Sequence, residues 1–234
     1  MDRDKFIRLL NITKKIILKS LLVVIFLGGI SFIFSKVILL ELLKNTEMKV
    51  YYYTLPEVFF SMVELSIFSG AFLSFPIIVI LGWLESKNFV DLKAKDGWFF
   101  CISTIVLFYA GTLFCYFVVL PSGIKFLVGY ENEMLKAMIS VERFVTFCVT
   151  MVFAFGITFE LPIILLLINR KGLVKAKTLA KGRRFAVLFI AIASAIITPT
   201  PDVYNMMLLA VPMYILFEIG LLLMKINETR QKHC

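Results

Sequence analysis

The chain has 234 residues, 60% of them hydrophobic, with a mean hydropathy of +0.93 and a formal net charge of +9. Soluble domains hold roughly 45–50% apolar residues, so a water-soluble fold is excluded and an integral membrane protein is indicated. With one histidine, His233, and four cysteines that lack metal-ligand spacing, no zinc, haem or structural disulfide is expected, and no cofactor.

Residues 1–19 are basic and amphipathic, with Arg3, Lys5, Arg8, Lys14, Lys15 and Lys19 set among apolar residues. Such a stretch suits a cytoplasmic helix at the membrane interface. A first span follows over about 20–40, where Gly28-Gly29 permits close helix approach. It reads as a retained helix, since no small-residue cleavage site follows it. Tyr51-Tyr52-Tyr53 suits the headgroup level. The second span, about 58–84, contains Glu64 and Pro76 and ends near Trp83. The third, about 98–120, is expected to stop at Pro121. A mixed-charge connection over 122–143 is expected to carry a short interfacial helix. The fourth span covers about 146–168. The fifth and sixth, about 185–198 and 203–224, look short for the roughly 20 residues a ~30 Å hydrocarbon core requires. Local membrane thinning is the expected consequence. Between them, Pro199, Pro201 and Asp202 form an extracytoplasmic turn, and Asp202 can cap the helix after it.

Loop charge sets the orientation. The N-terminal stretch, the 85–97 loop, the 170–184 loop and the tail hold 19 of the 25 Lys and Arg residues. The 170–184 loop alone has seven, with no acid. Positive-inside loops face the cytoplasm. The expected fold is therefore a single all-α integral membrane domain of six spans, both termini cytoplasmic. The charge is accounted for by orientation, and no nucleic-acid partner is expected.

The fourth span carries the most informative stretch, Phe153-Ala-Phe-Gly-Ile-Thr-Phe-Glu-Leu-Pro162. Glu160 lies deep in an apolar run. A charge there costs about 2.5–3.5 kcal/mol on insertion scales, so it is turned toward the protein interior or a water-filled cavity. Pro162 removes a backbone donor and kinks the helix beside it. Thr158, Glu160 and Pro162 are the candidate polar site within the membrane.

Taken with Phe108-Tyr-Ala-Gly111, Phe114-Cys-Tyr-Phe-Val-Val-Leu-Pro121, Arg183-Arg184-Phe185, Thr198-Pro-Thr-Pro-Asp202, Leu209-Ala-Val-Pro-Met213 and Phe217-Glu-Ile-Gly220, the chain resembles the TatC family. That family is the polytopic receptor subunit of the twin-arginine protein translocase. The resemblance implies binding of twin-arginine signal peptides on folded precursor proteins at the cytoplasmic face. It implies recruitment of TatA/TatB-type single-span subunits, self-association, and transport driven by the proton-motive force. It implies a bacterial inner membrane, with an organelle membrane as the alternative, and no enzymatic activity.

The front half departs from the family pattern. The family's recognition site uses a Glu-Leu-Arg-x-Arg stretch before the first span and a Glu in the loop before the third. The first aligns with Asn11-Ile-Thr-Lys-Lys15, so Asn11 replaces the acid, and Thr13 and Lys15 replace the arginines. The loop Glu falls at Ala94, and Asp96 is the nearest acid. The family's aromatic-rich loop reads Leu84-Glu-Ser-Lys-Asn. Asn11, Thr13, Lys15 and Asp96 are the candidate recognition residues. Recognition is then weaker, or specificity is relaxed, or Asp91 or Glu85 stands in as the acid.

A small proton- or ion-coupled secondary transporter is the competing class, since Glu64, Glu160 and Glu218 are acids at membrane depth and prolines interrupt the spans. It predicts no Thr-Pro-Thr-Pro-Asp turn. An intramembrane enzyme is poorly equipped here, lacking Ser/His or paired Asp motifs.

Overall fold

Apolar runs of 20 residues and more have one stable form in lipid, because each backbone N–H and C=O must be satisfied within the segment. The computed structural model, which describes residues 3–46, 48–86, 94–129, 138–198 and 202–233, is accordingly helical, with one bridge between Tyr51 and Ser140. The helices are α1 (Arg3–Thr46), α2 (Leu55–Ser86), α3 (Ala94–Phe114), α4 (Leu120–Val128), α5 (Val141–Phe159), α6 (Leu161–Arg170), α7 (Ala176–Lys181), α8 (Arg183–Ile197) and α9 (Val203–His233). Five stretches are long and apolar enough to cross a membrane: Thr13–Thr46, Leu55–Glu85, Gly97–Val128, Val141–Arg170 and Val203–Thr229. With 15 residues, α8 is about 22 Å long, less than a hydrocarbon core.

Three boundaries differ from expectation. The basic stretch and the first span are one helix of 44 residues, not an interfacial helix followed by a span. Helix does not stop at Pro121. A π-helical turn, Cys115–Val119, joins α3 to α4, with the Leu120 N–H donating to the Cys115 carbonyl five residues back. The wide turn accommodates the missing proline donor, and the helix runs on to Val128. The remainder of the 122–143 connection, including Glu131 and Glu133, lies largely outside the described residues. Finally, α9 is 31 residues long rather than short. Its polar end is held by side chains described below.

The chain forms two compact units, one of Met1–Ile105 with Met138–Thr146, the other of Val106–Ala137 with Phe147–Cys234. In the first, α1 and α2 pack along their length. Gly70 lies so close to α1 that a Cβ there would fall 2.5 Å from the Gly28 Cα and N. Gly28 is thus the contact member of its pair, and Gly29 faces open space. Close by, the Ser31 and Ser69 hydroxyls bond to each other. Much of the rest of α1 is exposed apolar surface, including Leu22, Phe26, Ile33 and Phe34, as lipid contact requires.

In the second unit, Phe108, Phe155, Leu209, Leu221 and Met224 are fully buried. Small residues set the helix spacing. A Cβ on Gly156 would meet the Phe108 ring at 2.6 Å, and one on Gly111 the Phe155 carbonyl at 2.6 Å. Gly220 of α9 lies 3.1 Å, by the same measure, from the Pro162 Cα of α6.

Candidate functional site

Three polar clusters stand out on this apolar scaffold. The first is at the end of the α1–α2 pair. Lys15 and Lys19 are one turn apart on α1 and face Glu85 in the last turn of α2. Lys19 Nζ is 2.5 Å from Glu85 Oε1, and Lys15 Nζ is 3.8 Å from the same atom. The Trp83 indole lies over the Gly97 backbone, which brings the start of α3 beside the end of α2. Thr13 and Lys15 are exposed on α1. Asn11 sits in α1 and Asp96 in the first turn of α3, and their side chains lie outside the described residues. Sequence reasoning had offered Glu85 only as one substitute acid. The Lys15/Lys19 spacing of four is the signal that both could reach one partner.

The second cluster is the break between α5 and α6. Glu160 ends the α5 ladder: its N–H donates to Ile157 O at 3.1 Å, and its carbonyl accepts from the Ile164 N–H at 2.9 Å. Pro162, at the start of α6, withholds the donor that would otherwise reach the Thr158 carbonyl. Thr158 and Glu160 are both buried within the chain, at 4% and 8% exposure. Glu64 of α2 is paired within the first unit: the Thr146 hydroxyl lies 3.0 and 2.9 Å from its two oxygens. Glu218 is no isolated membrane-depth acid. Arg183, at the start of α8, grips it with Nε–Oε1 and Nη2–Oε2 contacts of 2.8 Å, and Tyr214 adds its hydroxyl at 3.2 Å. Arg183 therefore does more than set orientation.

The third set comprises side-chain clasps at helix ends. Asp202 caps α9, accepting the Asn205 N–H at 2.7 Å on Oδ1 and the Asn205 side-chain amide at 2.9 Å on Oδ2. Asn205 is buried and pressed against Gly123 of α4, while Tyr204 stacks on Phe126 at 4.1 Å. Pro199 and Pro201 lie outside the described residues. Toward the other end of α9, Glu228 accepts from the Asn169 side chain at 2.8 Å and the Ala176 N–H at 2.7 Å, and Asn227 donates to Asn169 at 3.0 Å. In the first unit, Glu57 gathers the N–H groups of Tyr53 at 2.8 Å and Thr54 at 3.3 Å. The Tyr51–Ser140 bridge and a Tyr53 hydroxyl bond to Met138 O at 2.9 Å tie the same loop to the segment before α5.

No group of three or more potential metal ligands occurs among the described residues.

The family model for Sec-independent protein translocase protein (TatC) matches residues 8–212. The chain belongs to the TatC family. Its TatC relatives include that of Aquifex aeolicus, 32% identical over 218 residues and 88% of each chain. They also include those of Akkermansia muciniphila, 36% identical over 183 residues, and Desulforapulum autotrophicum, 35% over 172. The chain aligns over 75% and 72% of its own length with these two, but spans only 51% and 62% of theirs. A crystal structure of the twin arginine translocase receptor TatC superposes with a TM-score of 0.83 at 28% identity, covering 93% of this chain and 98% of that one. A second, of the same receptor in DDM, gives 0.82 at 28% identity over 92% and 98%. A multi-pass all-α membrane protein of the TatC family is thereby established, and translocation is the family's named activity. The α1–α2 end of this chain carries Lys15, Lys19 and Glu85 as its described charged cluster.

Proposed function

We propose that this chain acts as the receptor subunit of a twin-arginine translocation system in a bacterial inner membrane. It binds twin-arginine signal peptides of folded precursors at the cytoplasmic ends of α1, α2 and α3, around Asn11, Thr13, Lys15 and Asp96. It recruits TatA/TatB-type single-span subunits through the polar break at Thr158, Glu160 and Pro162, and the proton-motive force drives transport. The observation that carries this reading is the match to a twin arginine translocase receptor over 93% of the chain. Charge distribution supports the orientation: both termini and the 170–184 loop face the cytoplasm, and the 199–202 turn faces the other side.

The site's chemistry agrees with the role. An apolar signal segment can lie against the exposed flank of α1, while charged groups at the helix ends meet the basic motif. A carboxyl buried beside a proline break provides a hydrogen-bonding partner for a polar side chain on a neighbouring transmembrane helix, worth about 0.6–2 kcal/mol.

Complementation tests the proposal. The chain is expressed with its cognate single-span subunits in cells lacking their own receptor, and export of a folded twin-arginine reporter is scored. Export that depends on both arginines is expected. Growth rescue by a solute, with no reporter export, would replace the receptor by a transporter.

A further inference from the structure

We propose that Glu85 is the carboxylate that reads an arginine of the signal motif, and that Lys15 and Lys19 are a built-in competitor which the incoming guanidinium displaces. This assignment rests on the twin-arginine reading above and names the group that supplies its missing negative charge.

Three observations carry it. First, position: Glu85 is in the last turn of α2, directly opposite Lys15, the residue standing where the family places its second arginine. Second, geometry: both lysines approach one oxygen, Oε1. Among the described residues no hydrogen bond is made to Oε2. An ammonium is a point charge and needs only one oxygen. A guanidinium is a planar fork that engages both oxygens of a carboxylate in parallel. The lysines therefore occupy Glu85 without using the half of it that distinguishes arginine from lysine. Third, exposure: the Glu85 side chain is 20% exposed, while Lys15 and Lys19 are 61% and 42% exposed. The carboxylate is partly withdrawn from water, where pairing is stronger. The lysines are on its wet side, where an ion pair contributes little and is screened by salt. They can swing into solvent when a better partner arrives.

The cluster has two consequences. The two lysines on one carboxylate leave a surplus positive charge, so a single weak cation is repelled. A bidentate arginine gains enough to displace the lysines, and a lysine in its place does not. Discrimination between Arg-Arg and Lys-Lys motifs then arises from competition at one carboxylate instead of from two.

The test uses the purified full-length protein in detergent, with fluorescent signal peptides bearing Arg-Arg or Lys-Lys, and anisotropy at low and high salt. Wild type is expected to favour Arg-Arg. Glu85→Gln should weaken Arg-Arg binding by about 3–10-fold and bring the two peptides together. Lys19→Gln should strengthen Arg-Arg binding by a similar factor, and Lys15→Gln less, since Lys15 is the more distant. Glu85→Asp, which keeps the charge on a shorter arm, should retain part of the preference and serves if Glu85→Gln is poorly folded. If Glu85→Gln keeps the wild-type Arg-Arg to Lys-Lys ratio, or Lys19→Gln gains nothing, Glu85 is not the reader. If wild type itself binds both peptides equally, the twin-arginine reading fails first, and the assignment with it.

Discussion

The contact of Gly70 with Gly28 makes the most quantitative prediction. A Cβ on residue 70 would lie 2.5 Å from two backbone atoms of Gly28. Carbon contacts settle at about 3.5–4.0 Å, so α1 and α2 must part by about 1 Å or more. Backbone cannot rotate away as a side chain can, and overpacking of this kind costs about 1–3 kcal/mol. Alanine has a compensating gain in any helix of about 0.5–1 kcal/mol over glycine. Gly82→Ala isolates that gain, because nothing lies within 4 Å of a Cβ there. The comparison of Gly70→Ala with Gly82→Ala therefore cancels propensity and leaves the steric cost. For a chain of this size about 2–4 °C of melting temperature corresponds to 1 kcal/mol, so the two variants should differ by about 2–12 °C. Thermal unfolding in detergent, followed by tryptophan fluorescence, reads the difference. Equal melting temperatures would show that α1 and α2 are not in backbone contact at Gly28.

Glu57→Ala removes the acceptor for the Tyr53 and Thr54 N–H groups; local stability should fall, seen as faster hydrogen exchange over 51–54 with the α6–α9 region unchanged. Glu160→Ala should reduce export of a folded reporter while the protein still accumulates, and Glu160→Gln, which can still hydrogen-bond, should be milder; reduced abundance with unchanged export per molecule would make Glu160 a structural residue. In a cysteine-free background, single cysteines at Lys177 and Glu131 should label from opposite sides of the membrane, Lys177 only after the cytoplasmic face is exposed; the reverse pattern refutes the orientation.

Spans were legible because an apolar run that must satisfy its own backbone has few alternatives. Caps were legible in principle. Thr54-Leu-Pro-Glu57 has the Thr-x-x-Glu pattern of a capping box with proline inside the first turn, and Glu57 does accept from the Thr54 N–H, yet its position in a polar loop hid it. Asp202 before an apolar run gave the cap of α9 directly. What the chain order could not supply was pairing between distant segments. Gly28-Gly29 announced a close approach, but nothing in the sequence selects Gly70 as the opposing residue. Arg183 and Glu218 each had a local reading, one as an orientation signal and the other as a buried acid, and only folding brings them to 2.8 Å. The sixth span was expected to end near 224, because the residues after it are polar. They are helical because Asn227 and Glu228 find partners on α6 and α7.

The π-helical turn at Cys115–Val119 has a further consequence. Each residue of an α-helix advances the chain by about 100°, and a π turn holds one residue more than an α turn. It therefore acts as a phase adjuster: upstream, Phe108, Thr112 and Cys115 are buried, Val119 is buried at the end of the turn, and downstream the buried set continues with Leu120, Gly123 and Ile124. Deleting a single residue from the turn would restore an ordinary helix and swing everything beyond it by about a quarter of a revolution. Gly123 would then turn away from Asn205, and Phe126 from Tyr204. A one-residue change in chain length inside the third span would thus be felt as a mispositioned cap on the last one.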